Sequence, residues 1–307
     1  MTPRTAPIPS SSSVAPAPAL RRSGALAAGG AVLAGTASLL AQLAGPGADY
    51  ALVFPPPWLA GIGSLVLAAA VLLSRRRRPL ASAAAWTAAV LLLGGSGGAV
   101  LDAFRGFFAV TGIPAGSFAL LDVSGAIART ASLAAVFCAI GLGRALRRAR
   151  RTSDARGAGH RRAMRLLRAA GLLACVPYPL LKLVWWASGE AGAPLMELLL
   201  FGIAAGGVLV LTAARDGARP ARLVAACGWI GSLALLSMGA LMVFGLLAQV
   251  TGVAAAPVAF EGGGRTGIVL GVYTTWLALG VIVAAATVLY EESDPSAAEP
   301  DAAALAR

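Results

Sequence analysis

Long apolar runs recur along almost the whole chain, and they constrain its fold more than any other feature. A helix that crosses a bilayer needs about 20 mostly apolar residues, and most of these runs have that length. Charged residues make up only 12% of the sequence, against about 25% in a typical soluble domain. Because backbone groups in hydrocarbon must pair within their own segment, the sequence predicts an all-α, polytopic transmembrane helix bundle.

About eight such helices are predicted, in two groups of four. The first group occupies residues 21–143 and the second residues 166–290, with a basic loop at 144–165 between them. A tail rich in Pro, Ser and Ala (1–20) and an acidic tail (291–307) are predicted to be disordered. The predicted helices are 24–44, 58–74, 80–101, 120–142, 166–188, 194–214, 223–250 and 266–290. The first run exceeds the usual core of a signal peptide, so an uncleaved helix is expected.

Arginine clusters predict the orientation of the bundle. Arg75–Arg78 ends the second helix, Arg144–Arg168 covers the central loop, and Arg215, Arg219 and Arg222 follow the sixth helix. With eight crossings all of them lie on one side, which the positive-inside rule makes cytoplasmic. The sequence therefore predicts an inner (plasma) membrane protein with both termini in the cytoplasm.

The net charge of +12 is explained by this one-sided distribution, so nucleic-acid binding is rejected. The lipid bilayer is the predicted partner, and the sequence indicates no particular protein partner. The end of the central loop, HRRAMRLLR, has two interpretations. It is either an amphipathic segment on anionic lipid headgroups or only the positive flank of the fifth helix.

Two short matches predict an internal duplication. Val110–Ile113 (VTGI) follows the third helix, and Val250–Val253 (VTGV) follows the seventh, 140 positions later. The same offset carries Arg75 onto Arg215. Because each half has an even number of helices, the halves would insert in the same orientation as a parallel four-plus-four repeat.

Ionisable residues inside the membrane are costly and are therefore candidates for function. Four basic residues fall outside the cytoplasmic segments: Arg105, Arg129, Lys182 and Arg265. Six acids fall in outer loops or the outer halves of helices: Asp49, Asp102, Asp122, Glu190, Glu197 and Glu261.

Four of these residues form the candidate binding site, a polar cavity in the outer half of the bundle. Asp122 and Arg129 lie two turns apart on one face of the fourth helix. Lys182 lies near the outer end of the fifth helix and Glu197 in the first turn of the sixth, so the two are expected to pair. The alternative is that these side chains snorkel to the interface or form structural ion pairs.

Pro177-Tyr178-Pro179 predicts a break within the fifth helix, because proline lacks the backbone donor and clashes with the preceding turn. Broken helices often form transporter binding sites, whereas other membrane prolines only kink the helix. Both interpretations remain open for this segment.

Two glycine-rich segments match enzyme motifs without the context those motifs need. Gly94–Gly98 contains G-x-S-x-G, but the sole histidine, His160, lies in the central loop, far from that serine. Gly262–Gly267 spells G-x-G-x-x-G with no strand before it. No catalytic residue, metal site or cofactor is therefore predicted. Glycine runs such as Gly94–Gly98, Gly202/Gly206 and Gly267/Gly271 are instead interpreted as close helix-packing surfaces.

The Ala-, Gly- and Arg-rich composition and the stretch YPLLKLVWWASG, Tyr178–Gly189, resemble multi-pass integral membrane proteins of high-GC actinobacteria. The resemblance implies no activity. The leading hypothesis is a non-enzymatic, transporter-like or accessory membrane component. The alternative is an enzyme acting on a lipid or lipid-linked substrate at the outer leaflet, using Lys182, Glu197 or Asp122.

Overall fold

The computed structural model describes residues 18–149, 156–189, 192–213, 221–252 and 263–292, and these ranges contain helices and no β-strand. The predicted tails therefore lie almost entirely outside the described residues. The helices are α1 (Pro18–Ala44), α2 (Pro57–Leu73), α3 (Arg78–Gly95), α4 (Ala99–Thr111), α5 (Val123–Arg148), α6 (Arg156–Ala174), α7 (Pro177–Ala187), α8 (Leu195–Thr212), α9 (Ala221–Val250) and α10 (Gly263–Glu292).

Seven spans of the described chain are long and apolar enough to cross a membrane. Two of them are formed by consecutive helices, α3 with α4 and α6 with α7. The apolar helix α2, with 17 residues, is just short of the others, although about 17 residues is the lower limit for a span. Together these segments match the eight predicted helices, and the predicted all-α bundle is confirmed.

Each half of the chain packs as its own group of helices. In the first half α1 contacts α2 and α5, and α3 contacts the same two helices. Its core is rich in buried alanines, among them Ala34, Ala85 and Ala135, and small side chains allow helices to approach closely. In the second half α10 packs against α9, α6 and α8. The halves meet where α3 and α4 contact α9, and α5 adds a ring contact of Phe137 with Trp229 on α9 and an ion pair of Arg144 with Glu291 on α10.

The bounds predicted for the third helix, 80–101, were wrong. They place Asp102 in the loop beyond the helix, whereas Asp102 lies in a helix. The helix stops earlier, at Gly95, turns through Ser96–Gly98 and continues as α4, which carries Asp102. Gly98 has a φ of +91°, a conformation that glycine adopts without steric cost. The turn therefore redirects the helix without ending the apolar segment.

Close packing at this turn confirms the interpretation of Gly94–Gly98. A Cβ on Gly95 would lie 2.5 Å from Cβ of Ala60, and one on Gly97 would lie 3.0 Å from the backbone of Leu241 in α9. The same interpretation was wrong for four other glycines. A Cβ at any of them would meet nothing within 4 Å: Gly202, Gly206, Gly267 and Gly271.

The fifth predicted helix is interrupted just before its prolines. α6 ends at Ala174, and Pro177 is the first residue of α7, a position at which proline's missing N–H has no helical partner to lose. The N–H of Val176 bonds the carbonyl of Leu173 at 3.3 Å, so the chain passes through a tight turn. The break places Tyr178 and Lys182 on a separate short helix.

Helices also extend into the predicted basic loop. α5 continues to Arg148, and α6 begins at Arg156, so the segment HRRAMRLLR is part of a long helix. Arg168 of α6 donates to the hydroxyl of Thr212 at 3.1 Å and to its carbonyl at 2.8 Å. These bonds satisfy an otherwise unpaired acceptor at the end of α8.

The two Val-Thr-Gly segments end their helices in the same way. The hydroxyls of Thr111 and Thr251 each donate to the carbonyl four residues earlier, both at 2.8 Å. Gly112 and Gly252 follow with φ of +69° and +73°. This likeness favours the duplication. Because any up-and-down bundle shares the observed helix adjacency, the duplication stays a prediction.

Candidate functional site

A buried arginine shared by two aspartates lies in the first half of the bundle. Asp102 is in the first turn of α4, Asp122 is the N-cap of α5, and Arg129 is on α5. Nε of Arg129 donates to Oδ2 of Asp102. Its Nη2 donates to Oδ1 of Asp102 at 3.1 Å and to Oδ2 of Asp122 at 3.3 Å. These three residues are called the Arg129 cluster below.

The Arg129 cluster is almost fully buried and contains more acidic than basic groups. Asp102, Asp122 and Arg129 are 4%, 3% and 5% exposed. The ring of Phe54 covers the guanidinium, with its centroid 4.6 Å from Cζ. Two carboxylates face one guanidinium, so with both acids ionised one negative charge is in excess.

Tyr50 connects the two carboxylate-bearing segments. Its hydroxyl donates to Oδ1 of Asp102 at 3.2 Å and accepts from the backbone N–H of Asp122 at 2.8 Å. Burial raises the pKa of Tyr50 above its usual value, which keeps the phenol protonated as the donor. The 3₁₀ turn Asp49–Val53 thus positions the only phenol that contacts the cluster in the described part of the chain.

Arg105 lies beside the cluster, and its hydrogen bonds go to backbone carbonyls instead of the carboxylates. Its guanidinium stacks on the rings of Tyr50 and Phe118, with Cζ 3.7 and 4.5 Å from the centroids. It donates from Nη1 to three backbone carbonyls at 3.2 to 3.5 Å: those of Ser117, Phe118 and Leu120. These acceptors are neutral, and among the described residues Arg105 forms no ion pair with Asp102 or Asp122.

Asp122 also joins the start of the α1–α2 connection to α5. Its Oδ1 accepts from the backbone N–H groups of Gly47 and Gly125, both at 3.2 Å, and from the hydroxyl of Ser124 at 3.1 Å. The bond from Gly125 is the N-cap bond that stabilises the start of α5, whereas the bond from Gly47 is a long-range contact. A Cβ on Gly125 would lie 2.8 Å from Nη1 of Arg129, so a larger residue at this position would require the Arg129 side chain to shift.

A second charged pair lies in the other half of the bundle. Nζ of Lys182 is 3.7 Å from Oε1 of Glu197, which is the ion pair that the sequence predicts between these residues. Their side chains are 23% and 29% exposed. Nζ also lies 5.6 Å from the ring centroid of Tyr178 and 5.3 Å from that of Trp185. These distances are in the range of cation–π contacts.

Aromatic side chains continue from this pair into the bundle. Tyr178 stacks on Phe201 at 5.3 Å and meets Trp276 edge-on at 4.7 Å. Tyr273 packs against Trp276 at 5.4 Å. The break before α7 therefore places Tyr178 among rings of α8 and α10. Pro179 is buried in the same short helix.

The four candidate residues form two sites instead of one. Asp122 and Arg129 belong to the first half, whereas Lys182 and Glu197 belong to the second, and among the described residues no ion pair or hydrogen bond joins the two sets. Asp102 and Tyr50 were missing from the predicted site. The apolar pattern of FFAV after Arg105, which continues the helix past Leu101, was the available signal for Asp102.

The described residues contain no group of three or more His, Cys, Asp or Glu side chains that could hold a metal ion. No protein-family model, no curated protein and no solved structure matches the chain. The class of the protein is thus defined by its fold and its sites. It is an all-helical protein, apolar enough for membrane insertion, with a buried ionic cluster.

Proposed function

We propose that the protein is a transporter-like or accessory component of the inner (plasma) membrane, and that its Arg129 cluster binds one positive charge. The charge is a proton or a monovalent cation. The observation that carries the proposal is the excess carboxylate in a site that is at most 5% exposed. An uncompensated charge in such surroundings costs several kcal/mol, and a bound cation removes that cost.

The position of the cluster supports a transporter-like role over a purely structural one. Asp102 follows the glycine turn that breaks the α3–α4 span, and binding sites of transporters are often built from interrupted helices. The cluster also draws on three separate segments: the α1–α2 connection, which carries Gly47 and Tyr50, α4 and α5. A cation that binds there would stabilise their mutual arrangement.

Cation binding is tested by the melting temperature of the purified protein in nanodiscs. Titrations with Na⁺, K⁺ and acid should reveal one ligand that raises the melting temperature with its concentration, as mass action requires. Asp102→Asn leaves one carboxylate with Arg129 and should abolish that dependence. Glu197→Gln, which alters the other ion pair, is the matched control and should keep it. A dependence unchanged in Asp102→Asn, or absent from the wild type, refutes the proposal.

The orientation follows from the arginine distribution and has its own test. We expect both termini in the cytoplasm, since every arginine cluster then lies inside. Reporter fusions should indicate cytoplasm after Arg78, Arg151 and Ala218, and the outside near Gly112 and Gly263. One fusion on the wrong side is enough to reject the eight-helix topology.

An enzyme acting on a lipid at the outer leaflet is the second candidate. The partly exposed Lys182–Glu197 pair beside Trp185 favours it, because a reacting group must be reachable by its substrate. This function predicts lipid turnover by the purified protein that is lost in Lys182→Met. Mass spectrometry of lipids incubated with both proteins distinguishes the two candidates.

A further inference from the structure

A groove of about 800 Å³ runs between α1 and the start of α5. Its walls are mostly apolar, with Leu33 and Leu40 on α1 and Ile127 on α5. Thr36 lies between the two leucines, and Asp122 lies at the end nearest Gly47. The groove is therefore apolar along most of its length and polar at one end.

The groove opens toward the membrane. Leu33, Leu40 and Ile127 are each more than half exposed, and both helices that carry them are apolar enough to span a bilayer. Exposed leucine and isoleucine side chains on such helices face hydrocarbon. A lipid chain can thus enter the groove sideways without crossing water.

The length of the groove matches one leaflet. Its α1 wall extends from Leu33 to Ala44, which is about 16 Å at a rise of 1.5 Å per residue. The hydrocarbon core of a bilayer is about 30 Å thick, so the wall covers half of it. The wall is therefore as long as one acyl chain in a single leaflet, and the headgroup of that lipid would lie beyond Ala44.

The polar end selects the headgroup by charge. Asp122 lies there together with Ser124 and the backbone of Gly47. The Arg129 cluster behind them carries the excess negative charge described above. An anionic headgroup would be repelled, whereas an ammonium group is attracted, and both effects are large where water is scarce.

We propose that this groove binds the acyl chain of an outer-leaflet phospholipid whose headgroup carries an ammonium group, as in phosphatidylethanolamine. The leaflet rests on the orientation proposed above, but the binding itself does not. The site is separate from the cation bound by Arg129 and its two carboxylates, because the lipid occupies the apolar wall and only its headgroup approaches Asp122.

Native mass spectrometry of the protein released from nanodiscs tests the proposal. In discs with equal phosphatidylethanolamine and phosphatidylglycerol, the wild type should retain one lipid, with the ethanolamine form in excess. Thr36→Trp and Ile127→Trp each place an indole in the groove and should reduce retention about tenfold, a loss of roughly 1.4 kcal/mol. Leu39→Trp is the matched control, since Leu39 is exposed on α1 outside the groove lining, and it should retain lipid normally.

The headgroup is tested separately from the chain. Asp122→Asn reduces the negative charge at the polar end and should remove the preference for phosphatidylethanolamine while one lipid is still retained. Equal retention of both lipids by the wild type, or equal losses in Leu39→Trp and Thr36→Trp, overturns the proposal. Retention of the lipid chain does not depend on Na⁺, K⁺ or the sidedness of the protein, so its failure is distinct from that of cation binding or topology. The headgroup preference is measured at neutral pH without Na⁺ or K⁺, because a cation bound to the Arg129 cluster would remove the excess negative charge.

Discussion

Replacing Arg129 with glutamine should be far more damaging than replacing either aspartate with asparagine. The guanidinium makes three charge-assisted bonds, two to Asp102 and one to Asp122. Arg129→Gln leaves two buried carboxylates with no cation between them. Breaking a buried ion pair by removing one partner typically costs about 3–5 kcal/mol, and we expect a loss of unfolding free energy in this range.

The aspartate variants should behave differently because of the charge balance. Asp102→Asn keeps Arg129 paired with Asp122 and removes the excess negative charge, so the loss should stay below about half of that for Arg129→Gln. The triple variant with both asparagines and the glutamine leaves no buried charge. The triple variant should be more stable than Arg129→Gln alone, because residues in contact give non-additive free energies of unfolding in mutant cycles.

Reversible unfolding of the protein in mixed micelles, followed by helical circular dichroism, measures these differences. A loss below about 1 kcal/mol for Arg129→Gln would refute the reasoning, because ion pairs exposed to water contribute that little. Equal losses for Asp102→Asn and Arg129→Gln would show that no negative charge is in excess.

Three further predictions concern other parts of the bundle. Lys182→Met and Glu197→Gln should be non-additive in a double-mutant cycle on melting, by up to about 1 kcal/mol for a partly exposed pair, and additive effects would show that the two side chains do not interact in solution. Gly95→Leu should destabilise the protein by about 1–3 kcal/mol through overpacking against α2, whereas Gly202→Leu, whose Cβ meets nothing within 4 Å, should change melting little. Because the pKa of Tyr50 is raised from 10.0, the unfolded chain loses this proton first and stability should fall above about pH 10. Tyr50→Phe should reduce that fall in alkaline melting curves, and an unchanged curve would contradict the assignment.

The sequence predicted the helices well because hydrophobic length and arginine position are local properties. α2 and α9 begin and end within two residues of their predicted bounds. The same local reasoning found the Lys182–Glu197 pair, since a short connection joins their helices and places both at similar depth. It also found the contact between Asp122 and Arg129, because two turns of one helix separate them.

The remaining part of the site depends on contacts between distant segments. Asp102 meets Arg129 only because the chain turns at Gly98 and continues as α4. The sequence predicts these glycines only as packing residues of a helix over 80–101. Tyr50 reaches both carboxylate-bearing segments from a connection with no periodic pattern. The apolar residues after Arg105 indicate that a helix continues past Asp102, but local hydrophobicity does not identify the partners of Asp102 or Tyr50, because both contacts result from how α1, α4 and α5 pack together.

The turn that positions Asp102 is itself held by the second half of the chain. The hydroxyl of Ser237 on α9 accepts from the backbone N–H of Val100 at 3.3 Å and donates to the carbonyl of Ser96 at 3.5 Å. Gly97 approaches the backbone of the same helix too closely for any side chain. A movement of α9 against the first half would therefore shift α4 and change the distance between Asp102 and Arg129. Binding of a cation at that pair would in turn favour one position of α9, since energetic linkage between two sites is reciprocal. This contact is one physical route by which the two halves of the bundle can act on each other, beside the ion pair of Arg144 with Glu291.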